Sequence, residues 1–106
     1  MTITEITQDP KKIVPNTQLA VVVFYASWCG DCKRSLRYEK KLSEEFLGKV
    51  TFYRMDAEKY ESIADQYGVE NYPTYILLKN GKVTGNSLVE PSLELQVKNW
   101  LITNLR

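Results

Sequence analysis

The stretch Trp28-Cys29-Gly30-Asp31-Cys32 decides the fold, because of what stands on either side of it. Residues 19–26 before it form an apolar run that is rich in β-branched and aromatic side chains. Such a run is typical of a strand that is buried on both faces of a sheet. Residues 33–42 after it are mostly good helix formers. The two cysteines are therefore predicted to lie where a buried strand gives way to a helix.

This position suits the chemistry of sulfur. At the N-terminus of a helix, unpaired backbone N–H groups and the positive end of the dipole favour a thiolate over a thiol. The spacing lets the sulfurs of Cys29 and Cys32 meet across one helical turn and close a disulfide. We expect Cys29 to be the exposed, attacking thiol, and Cys32 to lie behind it and resolve a mixed disulfide. The pattern predicts thiol–disulfide exchange.

Two structural interpretations of the cysteine pair are weaker. Zinc takes about four ligands, and the chain has no histidine and only these two cysteines. A zinc site would need a second copy of the chain or help from carboxylates. A disulfide that closes so short a loop removes little entropy from the unfolded chain, so stability is a poor reason to have one. We expect a redox pair and no metal.

The remaining elements follow from periodicity and from helix and turn signals. In chain order we expect a strand at 2–7, a helix begun by Asp9 and Pro10, the strand at 19–25, a helix from Cys29 to about Gly48, a strand at 50–55, a helix at 58–66, strands at 74–78 and around Val83, and a last helix opened by Pro91. Asn80-Gly81 is a hairpin signal between the last two strands. Apolar residues recur at helical spacing after Pro91: Leu93, Val97, Trp100, Leu101 and Leu105.

The order β-α-β-α-β-α-β-β-α predicts an α/β fold with a central mixed sheet and helices on both faces. Ligand chemistry in such sheets gathers at the carboxyl ends of the strands, where Cys29 lies. A length of 106 residues suits a single domain, residues 1–106. A hydrophobic content of 43% and a charged content of 25% are ordinary for a globular protein.

Charge and hydropathy exclude some partners and locations. The net charge of +1 gives no electrostatic reason to expect binding to nucleic acid or to acidic membranes. No apolar stretch is long enough to cross a bilayer. Charged residues stand where a signal peptide would need its apolar segment, namely Glu5, Asp9, Lys11 and Lys12. We therefore expect a cytoplasmic protein.

Three segments resemble the thioredoxin family. Residues 26–33, Ala-Ser-Trp-Cys-Gly-Asp-Cys-Lys, are similar to its active-site segment, with aspartate where proline is usual. Residues 67–74, which contain Tyr72-Pro73-Thr74, resemble the segment that carries the family's cis-proline. Lys79-Asn80-Gly81-Lys82 resembles the hairpin turn after it. The likeness runs from about Leu19 to the C-terminus, with the order and spacing of the family.

The resemblance implies the thioredoxin fold and a protein disulfide reductase with Cys29 and Cys32 as its catalytic pair. It implies that Trp28 forms surface beside the site and that Gly30, Asp31 and Lys33 support it. It also implies that Tyr72, Pro73 and Thr74 seat the substrate, with Pro73 cis. No cofactor is bound in such a chain. The resemblance further implies that electrons come from NADPH through a flavoprotein thioredoxin reductase and that the other partners are disulfide-containing proteins, and we expect a monomer.

Other interpretations stay open at this point. The chain could be a thioredoxin-fold binding module whose cysteines take no part in catalysis. It could also be a disulfide oxidase or isomerase, which would need an oxidising compartment. Trp28 could be core packing, Tyr72-Pro73-Thr74 an ordinary turn into a strand, and Lys33 a solvated helix residue rather than one that screens Cys29.

The sequence departs from the family pattern in ways that concern charge. Asp31 suits a first helical turn, but its carboxylate disfavours a thiolate nearby. Val23 stands where thioredoxins usually place a buried aspartate that relays protons to the second cysteine, and Arg37 replaces a helix-kinking proline. Glu39 falls inside the apolar arc of its helix. Because acids are rarely buried without a partner, either the helix turns to expose Glu39 or this acid takes over part of the missing aspartate's role.

Overall fold

The computed structural model describes residues 3–14 and 19–105. Its elements follow the predicted order: β1 (Ile3–Glu5), α1 (Pro10–Ile13), β2 (Leu19–Tyr25), α2 (Gly30–Glu45), β3 (Val50–Asp56), α3 (Glu61–Gln66), β4 (Thr74–Lys79), β5 (Lys82–Val89) and α4 (Glu94–Asn104). Residue 2 of the predicted first strand lies outside the described residues. In α1, Asp9 is the N-cap and accepts a hydrogen bond from the N–H of Lys11 at 3.0 Å, as predicted.

The described strands form one mixed sheet of order β1-β3-β2-β4-β5. β1 and β2 both pair in parallel with β3, whereas β4 pairs antiparallel with β2 and β5 antiparallel with β4. The hairpin between β4 and β5 turns at Asn80 and Gly81, whose φ angles of 53° and 77° fit the predicted two-residue turn. The α/β prediction with a central mixed sheet is confirmed.

The sheet has a packed core on each face, and β2 supplies both. On one face, Val21 and Val23 pack with Leu42 of α2 and with Val97 and Leu101 of α4. On the other face, the opposite side chains of β2 pack against α3 and the end of α1, through Ala20, Val22, Phe24, Ala64 and Val14. The strand buried on both faces is confirmed, and it carries the cysteine segment out of the centre of the molecule.

The predicted limits of three helices were wrong. α4 begins at Glu94 and not at Pro91, because the side chain of Gln96 accepts hydrogen bonds from the N–H groups of Ser92 and Leu93 and so fixes the first turn there. Leu93 is consequently an exposed cap and not a core residue. The helix after Cys29 ends at Glu45, three residues before Gly48. The helix predicted at 58–66 begins only at Glu61.

Of the helices that the structure describes, none is both long and apolar enough to span a membrane.

Candidate active site

The two cysteines lie at the end of β2 and the beginning of α2, as predicted. Cys29 is the N-cap of α2, and its sulfur accepts a hydrogen bond from the N–H of Cys32 at 3.2 Å. Both residues are reduced thiols in this structure. A sulfur in this position takes the place of a capping oxygen and lies at the positive end of a helix of 16 residues.

The expectation that Cys29 is exposed was wrong. Its relative exposure is 6%, and that of Cys32 is 1%. Tyr72 covers Cys29: it packs against the cysteine pair, and its carbonyl oxygen lies 3.7 Å from the Cys29 sulfur, which donates to it. Cys29 is still the more accessible of the two sulfurs, so the order of accessibility agrees with the predicted roles.

Cys32 is the sulfur that resists ionisation. Burial, and then its hydrogen bond with Cys29, raise the pKa of Cys32 to about 12. Cys32 is therefore protonated at neutral pH. A reaction that begins at Cys29 must therefore later remove a proton from Cys32.

The segment Tyr72-Pro73-Thr74 meets the cysteines, although it is far from them in sequence. The peptide bond between Tyr72 and Pro73 is cis, as the resemblance implied. The hydroxyl of Thr74 donates to the carbonyl of Asn71 at 2.6 Å and closes the turn. Thr74 itself is buried and pairs with Phe24 of β2.

Trp28 is not part of the core. Its side chain is 66% exposed, and its ring meets that of Tyr72 edge-on, with the centroids 6.0 Å apart. The two rings form one apolar surface, and Tyr72 connects it to the cysteine pair. Of the two interpretations of Trp28, the structure supports the surface position and excludes the core position.

The first turn of α2 is exposed at Gly30, Asp31 and Lys33. The carboxylate of Asp31 forms an ion pair with Arg34, one turn further along the helix. This pairing is solvent-exposed, and it offsets part of the negative charge that Asp31 brings towards Cys29. Arg34 was not among the predicted site residues, although the i, i+3 spacing of opposite charges could have indicated it.

Glu39 is completely buried, so the helix does not turn to expose it. The hydroxyl of Tyr75 on β4 donates to its Oε2 at 2.5 Å. The Nε of Arg54 on β3 lies 3.2 Å from its Oε1, an ion-pair distance without the alignment of a hydrogen bond. Together with Ser35, whose hydroxyl donates to the carbonyl of Cys32 at 3.0 Å, these residues form what we call the buried polar cluster. The cluster consists of Ser35, Glu39, Arg54 and Tyr75.

Burial is the largest influence on Glu39 and raises the pKa of its carboxyl, whereas contacts with Ser35 and Tyr75 and the charge of Arg54 act against it. Arg54 and Tyr75 are partners that sequence reasoning missed. Both lie opposite Val23 in the strands on either side of β2. An arginine inside the otherwise apolar strand 50–55 was the available signal, since a buried charge needs a partner.

In the part of the chain that the structure describes, no group of three or more histidine, cysteine, aspartate or glutamate side chains is arranged to hold a metal ion.

Comparison with known proteins identifies the family. The thioredoxin family profile matches residues 2–102. The chain belongs to the thioredoxin family. A thioredoxin of Rickettsia felis is 36% identical over 93 residues, a match that covers 87% of this chain and 84% of that protein. The crystal structure of Malassezia sympodialis thioredoxin has the same fold, with a TM-score of 0.85 at 24% identity over 98% of this chain and 91% of that one.

A plant thioredoxin matches a shorter part. The chloroplastic thioredoxin Y of Oryza sativa is 44% identical over 62 residues, which cover 58% of this chain but 37% of the rice protein. This chain thus aligns with well under half of that relative's length. The predicted family and the thioredoxin fold are confirmed by these comparisons.

Proposed function

We propose that the protein reduces disulfide bonds of other proteins, with Cys29 as the attacking thiol and Cys32 as the resolving thiol. One observation carries the proposal: the Cys29 sulfur caps α2 and accepts the N–H of Cys32, so the two cysteines lie together on the first turn of the helix with Cys29 in front. The Cys29 thiolate attacks one sulfur of the substrate disulfide and releases the other as a thiolate. Cys32 then loses its proton and attacks Cys29, which frees the second substrate sulfur and leaves the oxidised pair.

Tyr72, Pro73 and Thr74 form the proposed substrate seat, and Trp28 extends it. The peptide bond before Pro73 is cis, and the carbonyl of Tyr72 lies 3.7 Å from the Cys29 sulfur. An extended substrate segment would pass over this backbone, and the exposed Trp28 ring would cover its side chains. Gly30, Asp31 and Lys33 form the exposed turn that borders the seat, where Lys33 adds positive charge near the sulfurs.

The electron source belongs to the same proposal. Thioredoxins exchange disulfides through their own sulfurs, so no bound cofactor is required in this chain. Electrons would come from NADPH through a flavoprotein thioredoxin reductase, and the protein would act as a monomer. A reducing compartment such as the cytoplasm suits a protein whose only cysteines are this pair. The rice relative bears the name of a chloroplastic protein, so chloroplast stroma is the alternative.

The test is reduction of a disulfide-bonded protein, insulin, with dithiothreitol or with NADPH and a thioredoxin reductase as electron source. Wild type is compared with Cys29→Ser, Cys32→Ser and the control Ser27→Ala, which changes an exposed neighbour. We expect Cys29→Ser to abolish turnover, Cys32→Ser to accumulate a mixed disulfide with insulin, and Ser27→Ala to remain active. A wild-type protein without reductase activity would indicate a binding module, and full activity of Cys29→Ser would contradict the role of Cys29 as the attacking thiol.

The direction of the reaction is tested by the redox potential, measured by equilibration with glutathione. A reductase should have a potential near that of thioredoxin, about −270 mV. A value near about −180 to −120 mV would indicate isomerase or oxidase duty and would contradict the proposed direction.

A further inference from the structure

Arg54 joins the buried polar cluster to the second cysteine. Its Nη2 donates to the carbonyl oxygen of Cys32 at 3.4 Å, while its Nε lies 3.2 Å from Glu39. The guanidinium also lies over the ring of Tyr25, with Cζ 4.1 Å from the ring centroid. The side chain is only 12% exposed. The guanidinium is thus held beside Cys32 by three contacts: with the carbonyl of Cys32, with Glu39 and with the ring of Tyr25.

A small pocket of about 90 Å³ connects this place with solvent. Cys32 and Arg54 line it together, and the exposed residues Ser27 and Lys33 form part of its rim. A pocket of this size accommodates water. Cys29 and Tyr72 pack in one cluster with Cys32, and the pocket gives Cys32 a route to water.

We propose that Arg54, held in position by Glu39, is the group that stabilises the Cys32 thiolate in the resolving step, while the proton of Cys32 leaves to water in this pocket. Arg54 is a positioning residue in this scheme, since it acts through Cys32 and does not touch the substrate. The inference rests on the proposed function and assigns to a cation a step that the sequence had suggested for the acid Glu39.

The step balances without a further reagent. A Cys29–substrate disulfide is the starting point, and Cys32 is a thiol. Water takes the proton of Cys32, and the thiolate forms a bond to the Cys29 sulfur. The electron pair of the Cys29–substrate bond leaves with the substrate sulfur, which takes a proton from solvent. The dithiol is oxidised, and the substrate disulfide is reduced.

The charges around Cys32 and Arg54 are consistent with this assignment. Cys32 faces Cys29, Tyr38 and Lys33 of its own helix and Tyr25 and Arg54 of the sheet. Arg54 contacts Glu39 of α2 and the ring of Tyr25 of β2. In the pairing of β1 with β3 it lies opposite Glu5, and Asp56 follows two residues further along β3. Burial raises the pKa of Cys32, and the Arg54 charge opposes that rise. The carboxylate of Glu39 contacts Tyr75 and Arg54. Arg54 lies between Glu39 and Cys32, because it contacts both residues.

The experiment separates the two sulfurs by using Ellman's reagent, 5,5′-dithiobis(2-nitrobenzoic acid), in stopped flow. Reduced protein should release thionitrobenzoate in two phases, one when Cys29 attacks the reagent and one when Cys32 displaces the second thionitrobenzoate from Cys29. We compare four variants with wild type across pH 6 to 9: Arg54→Met, Arg54→Lys, Glu39→Gln and Arg37→Met. Arg37 is exposed on α2, so Arg37→Met is the control.

We expect Arg54→Met to leave the first phase within twofold of wild type and to slow the second about tenfold at pH 7, because one unit in the thiol's pKa is a factor of ten in thiolate. The second phase of Arg54→Met should reach the wild-type rate only at a higher pH. Arg54→Lys should recover most of the rate of the second phase, and Arg37→Met should match wild type in both phases. Glu39→Gln, which keeps an oxygen facing Arg54, should retain the second phase.

The proposal is overturned if the rate of the second phase in Arg54→Met lies within twofold of that of wild type. It is also overturned if the second phase is slow in Glu39→Gln but not in Arg54→Met. If Arg54→Met fails to fold because Glu39 is left without its cation, the double variant Arg54→Met/Glu39→Gln replaces it, and the same slow second phase is expected. Loss of the first phase in wild type would instead contradict the proposed function, so the two failures are distinguishable.

Discussion

The hydroxyl of Tyr75 donates a 2.5 Å hydrogen bond to Oε2 of Glu39, across the interface between β4 and α2. Both side chains are completely buried, and they are the largest polar contribution to a core that is otherwise aliphatic and aromatic. The hydrogen bond connects α2, the helix capped by Cys29, to β4, the strand that follows Pro73. The two halves of the active site are therefore connected from behind as well as through Tyr72.

We expect Tyr75→Phe to lower the free energy of unfolding by about 1–3 kcal/mol, because Oε2 of Glu39 loses its buried partner. Since this hydrogen bond favours the carboxylate, its loss should raise the pKa of Glu39 further. Urea denaturation at pH 7 measures the stability. Tyr53→Phe, which removes a hydroxyl from a half-buried ring on β3, is the control. Equal small losses in the two variants would contradict the role given to the bond.

Glu39 should make stability depend on pH in a defined direction. Its pKa in the folded protein is raised above the ordinary value of 4.5, so the folded state holds a proton that the unfolded state gives up. The stabilising contribution is therefore complete below about pH 4 and is lost as pH rises from there through the folded pKa. We expect the stability of wild type minus that of Glu39→Gln to fall between pH 4 and 8, as followed by thermal unfolding. A difference that grows with pH would refute the assignment.

The two thiols should differ in reactivity towards a limiting amount of iodoacetamide. Cys32 is the more deeply buried, and burial raises its pKa to about 12, so little of it is thiolate at neutral pH. Peptide mass spectrometry of the reduced protein should find the label at Cys29. Preferential labelling of Cys32 would reverse the proposed roles.

Trp28→Ala should weaken reduction of proteins more than reduction of small disulfides. The ring is exposed and extends the surface formed with Tyr72, so only a large substrate reaches it. We expect kcat/KM for insulin to fall several-fold and the first phase with Ellman's reagent to change less than twofold. Leu47→Ala, which removes an equally exposed apolar side chain beyond the end of α2, is the control and should leave both values unchanged.

Gly85 on β5 should not tolerate a side chain. Its φ is +67°, and a Cβ there would run into Oδ1 of Asn104 in α4. Gly68 has a similar φ of +70° but open space around it. We expect about 1–3 kcal/mol of destabilisation from backbone strain in either alanine variant, and a further loss in Gly85→Ala. Combining Gly85→Ala with Asn104→Ala should recover that further loss; if it does not, the contact with Asn104 is not the cause.

Local patterns were sufficient to predict the strand–turn–helix around Cys29 and the hairpin at Asn80-Gly81, because each depends on neighbours in the sequence. The surroundings of Glu39 could not be predicted in this way. Its partners Tyr75 and Arg54 come from two other strands, and only the register of the sheet places them opposite Val23. The start of α4 was missed for a related reason, since a glutamine side chain fixes it and not the proline that precedes it.

The Cys29 sulfur is both the proposed attacking atom and the cap of α2. The substitution chosen at position 29 therefore determines whether activity is lost without a change in the structure of the helix. Serine at position 29 can still accept the N–H of Cys32, because a hydroxyl oxygen is among the best capping groups, whereas alanine leaves that N–H without a partner. A serine variant is therefore a matched inactive control, because it removes the proposed attacking thiol and keeps the helix cap. An alanine variant would report a loosened first turn together with the missing thiol.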